Sequence, residues 1–331
     1  MDEAGFREML RTRNLEPAEI ERSVAMVQRF EAFLQRYRPA ATAARATAGD
    51  AERFVDEIAR TTQDSAADVL AIARYARLTH NDEVLVAVLE RIDGADVPVN
   101  LARTLGELVG ENERDAVFAG LEVPSIAATG EERSAFMRAL VDRLVGRIDP
   151  ATVTQALTNN LHYVPRETYT EERERYLAAT DIDAFIEDEH RRYVDYLAGL
   201  KEDGILYYTQ PITDDVLAYV RETPTCGGGV REGSEVRVTK VPYQADAYLH
   251  ETDEQRKRYL YCHCPWARTS LLRPEAAVSA RFCQCSAGFE KQYWDAVFGE
   301  PVTVDVVRSV LQGDLVCEFR VHLPEDVLQP R

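Results

Sequence analysis

Apolar residues recur at steps of three and four through the first half of the chain, and the pattern turns to alternation in the last third. From Pro17 to Arg38, the residues Ile20, Val24, Val27, Phe30, Leu34 and Tyr37 fall on one stripe, which predicts an amphipathic helix. Pro17 suits a first helical turn, where the missing N–H costs nothing. The same spacing predicts helices at about 50–61, 65–78, 81–92, 98–109 and 131–147. Asp64 or Ser65 would cap the helix at 65–78, and Asp82 stands close to the start of the next. Gly94, Pro98, Gly110, Gly130 and Pro150 punctuate the series. Residues 1–165 are thus expected to form a helical domain, serving as a scaffold or as a surface for homo-oligomer formation. Residues 166–203, with Ile182, Ile186, Tyr193, Leu197 and Leu200 apolar, predict a connecting helix that Gly204 ends.

After Gly204 the pattern changes. A strand is expected at 204–210, then a short helix at 212–222 with Thr213 as its cap. The run at 226–233 is rich in glycine and reads as a loop. Alternation predicts strands at 235–243 and at 256–264, the second stopped by Pro265. A helix at 288–299 ends in a glycine, and 302–312 with 315–323 should form a hairpin around Gly313-Asp314. The expected class is α+β. An all-helical N-terminal domain (1–165) leads through a connecting helix (166–203) to a smaller α+β domain (204–331) with an antiparallel sheet.

Composition narrows the partners. The chain has 331 residues, enough for two domains that each bury a core. It is 45% hydrophobic and 29% charged, as soluble globular proteins are. It has no apolar run of eighteen residues, and its first residues are polar and charged, so no membrane partner is expected and the expected location is cytoplasmic. The net charge of −18 argues against nucleic acid as a partner, because phosphate contacts require a basic surface.

Cysteine changes the picture most. Of six cysteines, five (Cys262, Cys264, Cys283, Cys285, Cys317) fall in the last seventy residues. In a long chain without a secretory signal, clustered cysteines read as metal ligands or reactive thiols before they read as disulfides. Cys262 and Cys264, two apart on an expected strand, would face one side. Cys283 and Cys285 precede a helix. Inside a helix they would point about 200° apart, so one metal requires them in the loop that enters it. Four thiolates in tetrahedral array suit zinc. An iron–sulfur cluster ranks second, since its cysteine spacings usually differ. Small buried hydrophobes are the competing explanation. His263 would face the opposite side of the strand. Tyr261, Trp266, Arg268 and Tyr293 could wall a ligand pocket beside the thiols, against the simpler role of core packing. Lys240 and Tyr243 read as an exposed edge strand kept soluble by a charge.

The run from Cys283 to Val321 resembles the C-terminal half of 4-vinyl reductase-type domains and of proteins similar to L-2-amino-thiazoline-4-carboxylic acid hydrolase. The shared outline is Gly288 leading a helix, a stop at Phe298-Gly299, then Gly313-Asp314, Cys317 and Phe319. The resemblance implies a small α+β domain around a small-molecule pocket, sometimes with a zinc site. Such sites tend to use a Glu and a Cys on the penultimate strand. Here those positions read Val306 and Ser309, and only Cys317 matches.

The expectation is therefore a small-molecule-binding protein, for anionic or aromatic ligands, with a thiolate zinc site. The alternatives are a metal-dependent hydrolase of a small cyclic substrate and an interaction protein with a structural zinc. Whether the chain is an enzyme, and what residues would be catalytic, the sequence leaves open.

Overall fold

Two helices open the chain, α1 (Glu3–Thr12) and α2 (Pro17–Tyr37), and the apolar stripe from Ile20 to Leu34 is the buried face of the second. Tyr37, the last expected member of that stripe, is 63% exposed. The computed structural model describes residues 1–61, 66–325 and 327. Asp64 and Ser65, the expected caps, lie outside the described residues. Next come α3 (Ala48–Thr61), α4 (Ala66–Leu78) and α5 (Asp82–Ile92). Asn81 caps α5, its side-chain oxygen accepting the Val84 amide at 3.2 Å, so the cap is one residue before the expected Asp82.

These helices, with residues 123–129, make up the first of two units. Its core holds aromatic pairs, Phe30–Phe54 at 5.1 Å and Phe6–Tyr75 edge-on at 5.3 Å. Asp50 is buried there at 2% exposure. It accepts the Thr47 amide at 3.0 Å and the guanidinium groups of Arg38 at 2.6 Å and Arg53 at 2.7 Å.

The second unit holds Asp96–Glu122 and the described residues from Gly130 onward. The division thus falls at residue 95, ahead of the expected boundary at 165. The reason is packing. Helices α6 (Val97–Val109), α7 (Glu111–Phe118), α8 (Gly130–Arg147) and α9 (Pro150–Leu157) share one core with Trp266, Phe282 and Cys285. The Trp266 ring lies 5.8 Å from that of Phe136.

Residues 166–203 form α10 (Thr170–Ala178) and α11 (Ile182–Glu202), two helices where one was expected. Asp181 starts the second, its carboxylate accepting the Ala184 amide at 2.8 Å. Beyond them lie α12 (Asp214–Glu222), capped by Thr213 as expected, then β1 (Val230–Glu232) and β2 (Glu235–Thr239). The expected strand at 204–210 is instead a turn closed by a Tyr207–Gln210 bridge.

The expected strand at 256–264 is also corrected. After α13 (Ala245–His250), the stretch forms helix α14 (Glu254–Tyr261), because Asp253 accepts the Arg256 amide at 2.8 Å and caps it. Cys262 is the residue that ends this helix, so a shared strand face no longer places Cys264 beside it.

Helix α15 (Gln284–Phe298) then crosses the unit. It starts before Cys285 and stops at Gly299, which adopts the left-handed φ of 84° that favours glycine. A Cβ on Gly288 would lie 2.8 Å from the Thr158 carbonyl oxygen, so only a glycine lets α15 pass this close to the end of α9. The chain closes with β3 (Val304–Arg308), a 3-10 turn at 310–312, and β4 (Glu318–His322).

The sheet is antiparallel, in the order β1-β2-β4-β3. Val238 stands opposite Phe319, and Val236 opposite Val321. These side chains face one core with Phe185, Ile186, Trp294 and Val297 of α11 and α15. Arg237, on the alternate positions, holds the Glu318 carboxylate at 3.0 and 3.1 Å. The molecule is α+β, with a helical N-terminal region and a small antiparallel sheet toward the C-terminus.

Candidate functional site

The thiols gather where α14, the start of α15 and the approach to β4 meet. Cys262 ends α14, its N–H shared between the Arg258 and Tyr259 carbonyls at 3.2 and 3.3 Å. The chain then turns tightly: the Cys264 carbonyl accepts from Ala267 at 3.2 Å and from Arg268 at 2.8 Å, and the Cys264 amide is aimed back at the Cys262 sulfur. Cys283 is the residue before α15, and Cys317 the one before β4. The amides of the 3-10 turn at 310–312 draw the acids of Cys283 and Cys317 down, against their burial.

Burial pushes the thiols of Cys262, Cys283 and Cys317 well up, so they are neutral at pH 7. Their next influence is one another. Cys262 feels Cys264 and Cys317, and Cys283 feels Cys317 and Cys262. Cys285 lies in the first turn of α15, where its sulfur stands 3.5 Å from His162 Nε2. It belongs to the core of α6–α9, while Cys262 belongs to the core around Tyr248 and Val310, and Cys264 packs against both. Cys262, Cys264, Cys283 and Cys317 thus lie within electrostatic reach of one another, while Cys285 sits in the α6–α9 core against His162. Among the described residues, no group of three His, Cys, Asp or Glu side chains is spaced to hold a metal ion. The donor chemistry suits a soft metal, and the amide-to-sulfur contacts are those that steady thiolates. Gathering these ligands around one ion would require the side chains to turn inward and lose their protons. Cys226 lies elsewhere, buried against Thr239 with its thiol pushed up to about 11 by burial.

Next to this band, titratable side chains gather around one exposed ring. Phe289, on α15, is 39% exposed. Glu290 beside it in sequence, His263 and Cys317 are partly buried, and His162 is exposed. His162 meets the Phe289 ring edge-on at 5.8 Å. Lys240, just past β2, holds its ammonium 5.3 Å from the Phe289 ring and 5.5 Å from that of Phe319. Its charge reaches Glu290, Cys317, His162 and His263. Burial, and then Lys240, push both histidines down to about 4, so their rings are neutral at pH 7. His263 Nε2–H donates to the Val241 carbonyl at 2.7 Å, which leaves Nδ1 as the acceptor.

Glu290 is the least compensated group here. Burial raises its acid, with Lys240 opposing. Among the described residues it has neither a hydrogen-bond partner nor an ion pair, and Lys240 has only the two ring faces. Perturbed titratable groups gathered in one place are a common signature of a binding or reactive site.

The four expected pocket residues divide. Tyr261 is fully buried, and its hydroxyl donates to the Lys240 carbonyl at 2.7 Å and lies 3.3 Å from that of Cys317, so it braces the backbone of the site. Arg268 stacks on Tyr243 at 4.2 Å and Tyr259 at 5.5 Å, within electrostatic reach of Cys262 and His263. Trp266 fills the core of α6–α9, with the Arg133 guanidinium over its ring. Tyr293 packs edge-on to Tyr169 and Trp294 and donates to Glu189 Oε2 at 2.7 Å. Lys240 is corrected: β2 lies between β1 and β4, so the residue following it is no edge-strand charge and is half-buried. His162 and Glu290 carried no sequence signal beyond their type.

Residues 234–328 match the model of a family of unknown function, DUF6144. The match includes Lys240, Glu290 and the five clustered cysteines, but not His162. No curated protein and no solved structure matches the chain.

Proposed function

We propose that this chain binds a small molecule at the Phe289 ring of its C-terminal unit, beside a thiol band that takes up a soft metal ion such as zinc. The observation that carries the reading is the exposed Phe289 ring, with the Lys240 ammonium 5.3 Å over it and the His162 ring edge-on at 5.8 Å, a grouping that suits an aromatic or anionic small molecule. The outline shared with 4-vinyl reductase-type domains points the same way, since that resemblance implies a pocket enclosed by a small α+β domain.

The thiols supply the metal half of the reading. Nearby backbone amides favour the charged form of three of them, opposing burial. A zinc ion there would lower the proton affinity of its ligands and bind more tightly as pH rises. If three thiols hold it with one position open, a hydrolytic role follows; if four close it, the role is structural.

The test is a thermal-shift screen of small carboxylates and aromatics on the full chain, with elemental analysis of protein purified without added metal. A binder should raise the midpoint in step with ligand excess, and Phe289→Trp should abolish the shift by crowding the ligand out. About one zinc per chain, removed by a chelator and absent from Cys262→Ser, supports the thiol site. Equal shifts in Phe289→Trp would overturn the binding site, and metal-free protein would overturn the zinc.

A further inference from the structure

Helices α11 and α12 line a surface groove of about 540 Å³. The first gives it Ala184, Glu187, His190 and Val194, and the second gives it Arg221. The histidine is fixed from behind. His190 Nδ1 lies 2.9 Å from the Cys226 carbonyl oxygen, and since a carbonyl only accepts, Nδ1 carries the proton. In the neutral ring Nε2 is then an acceptor, and it has no partner among the described residues. The glycine run after Cys226 makes this support possible. A Cβ on Gly228 would lie 2.6 Å from the Ile186 carbonyl oxygen and 2.8 Å from His190 Cβ, so only a glycine lets the loop settle on α11. A backbone carbonyl that fixes one ring nitrogen is a common support for a histidine whose other nitrogen meets a ligand.

The charged groups of the groove point the same way. Glu187 stands three residues before His190, which puts their Cβ atoms about 5–6 Å apart on one face of α11. Glu187 is exposed and makes neither an ion pair nor a hydrogen bond among the described residues. Its neighbours differ. Asp188 takes the guanidinium groups of Arg191 and, at 2.6 Å, Arg192. Arg221 is exposed and also makes no ion pair among the described residues, since Asp214 on its own helix is held by Lys201 at 2.7 Å. Two open acceptors and one open cation in a single groove, with Ala184 and Val194 as its apolar lining, call for a ligand that carries both charges.

We propose that this groove is a second ligand site, for a free amino acid with an apolar side chain. Glu187 and His190 Nε2 take the ammonium, Arg221 takes the carboxylate, and the side chain lies against Val194. An ammonium has three donors, so one group serves both acceptors. A guanidinium meets a carboxylate through two parallel hydrogen bonds. The volume falls within the roughly 300–1,000 Å³ of small-molecule sites. Neither half of the ligand suffices alone. An amine without the acid leaves Arg221 unanswered, and an acid without the amine is repelled by Glu187. The site shares no residue with the Phe289 grouping or with the thiols.

The experiment is isothermal titration of the full chain with L-leucine and with its two half-ligands, 3-methylbutylamine and 4-methylpentanoate. Leucine should bind, and each half-ligand should bind at least about tenfold more weakly. Glu187→Gln and Arg221→Gln change exposed side chains, so both variants should fold, and each should weaken leucine by at least about tenfold. Arg221→Lys, which restores the charge without the fork, should recover part of that loss. Phe289→Trp should leave leucine binding unchanged. No binding of leucine, or leucine no tighter than either half-ligand, would overturn the proposal. So would leucine binding that is unmoved in both Glu187→Gln and Arg221→Gln, or that is lost in Phe289→Trp.

Discussion

Two carboxyls separate the N-terminal helical unit from the C-terminal one. Asp50, in the first, is buried and fully answered: the Thr47 amide and hydroxyl, Arg53 and Arg38 all converge on it. Burial alone would raise its acid, and these partners more than offset that, so its carboxyl is held below the usual range. Glu290, in the second, has one distant ammonium and no hydrogen bond among the described residues, and its acid is raised. A carboxyl with every lone pair used is part of the architecture. One left without partners is available to something that is not part of the chain.

Substitutions can break this contrast, and Gly288→Ala should do the most damage. The new Cβ would strike the Thr158 backbone, which is no flexible side chain, and would push α15 off α9 along with Phe289 and Glu290. A loss of about 3 kcal/mol in chemical denaturation is expected, with ligand shifts lost as well. Asp50→Ala should cost about 2 kcal/mol, because Arg38 and Arg53 are half exposed and return to water. Its pH dependence has a definite sign. The Asp50 acid is lowered on folding, so its stability is complete above the ordinary carboxyl range and is lost as pH falls through the folded midpoint. Glu290→Gln should shift stability by less than about 1 kcal/mol, and in the opposite direction above the folded Glu290 midpoint, where its ionised form costs the fold. The Glu290 acid is raised, so its contribution is present at low pH and lost as pH rises through the folded midpoint. Denaturation of the two variants at pH 5 and pH 8 measures both signs. Arg320→Ala, on a partly exposed pair with Glu235, should be smallest, within about 0.5 kcal/mol.

The sequence showed the first unit far better than the second. Residues such as Val24, Val27, Phe30 and Leu34 bury one helical face, so local spacing was enough to find α2. In the second unit α14 was read as a strand because Tyr259, Leu260 and Tyr261 mimic alternation, and the Asp253 cap that decides for helix is a single residue. Helices α1, α7 and α9 passed unread, although Asp2 and Asp149 cap two of them through side-chain oxygens. The cysteine band was visible from composition. Its geometry was not, because α15 begins at Gln284 and so carries Cys285 inside the helix, aimed at His162. Glu290 was illegible for a physical reason. A carboxylate on a helix normally faces water, and nothing local in the sequence marks this one as partly covered.

The claim that the C-terminal unit keeps an unanswered carboxyl can be measured on that carboxyl. Carbon-13 NMR of the glutamate side-chain carboxyls across pH 3 to 9, with Glu290→Gln to assign the resonance, reads its titration directly. The account predicts a midpoint above the ordinary value of about 4.3. A Glu290 midpoint at or below that value would contradict it.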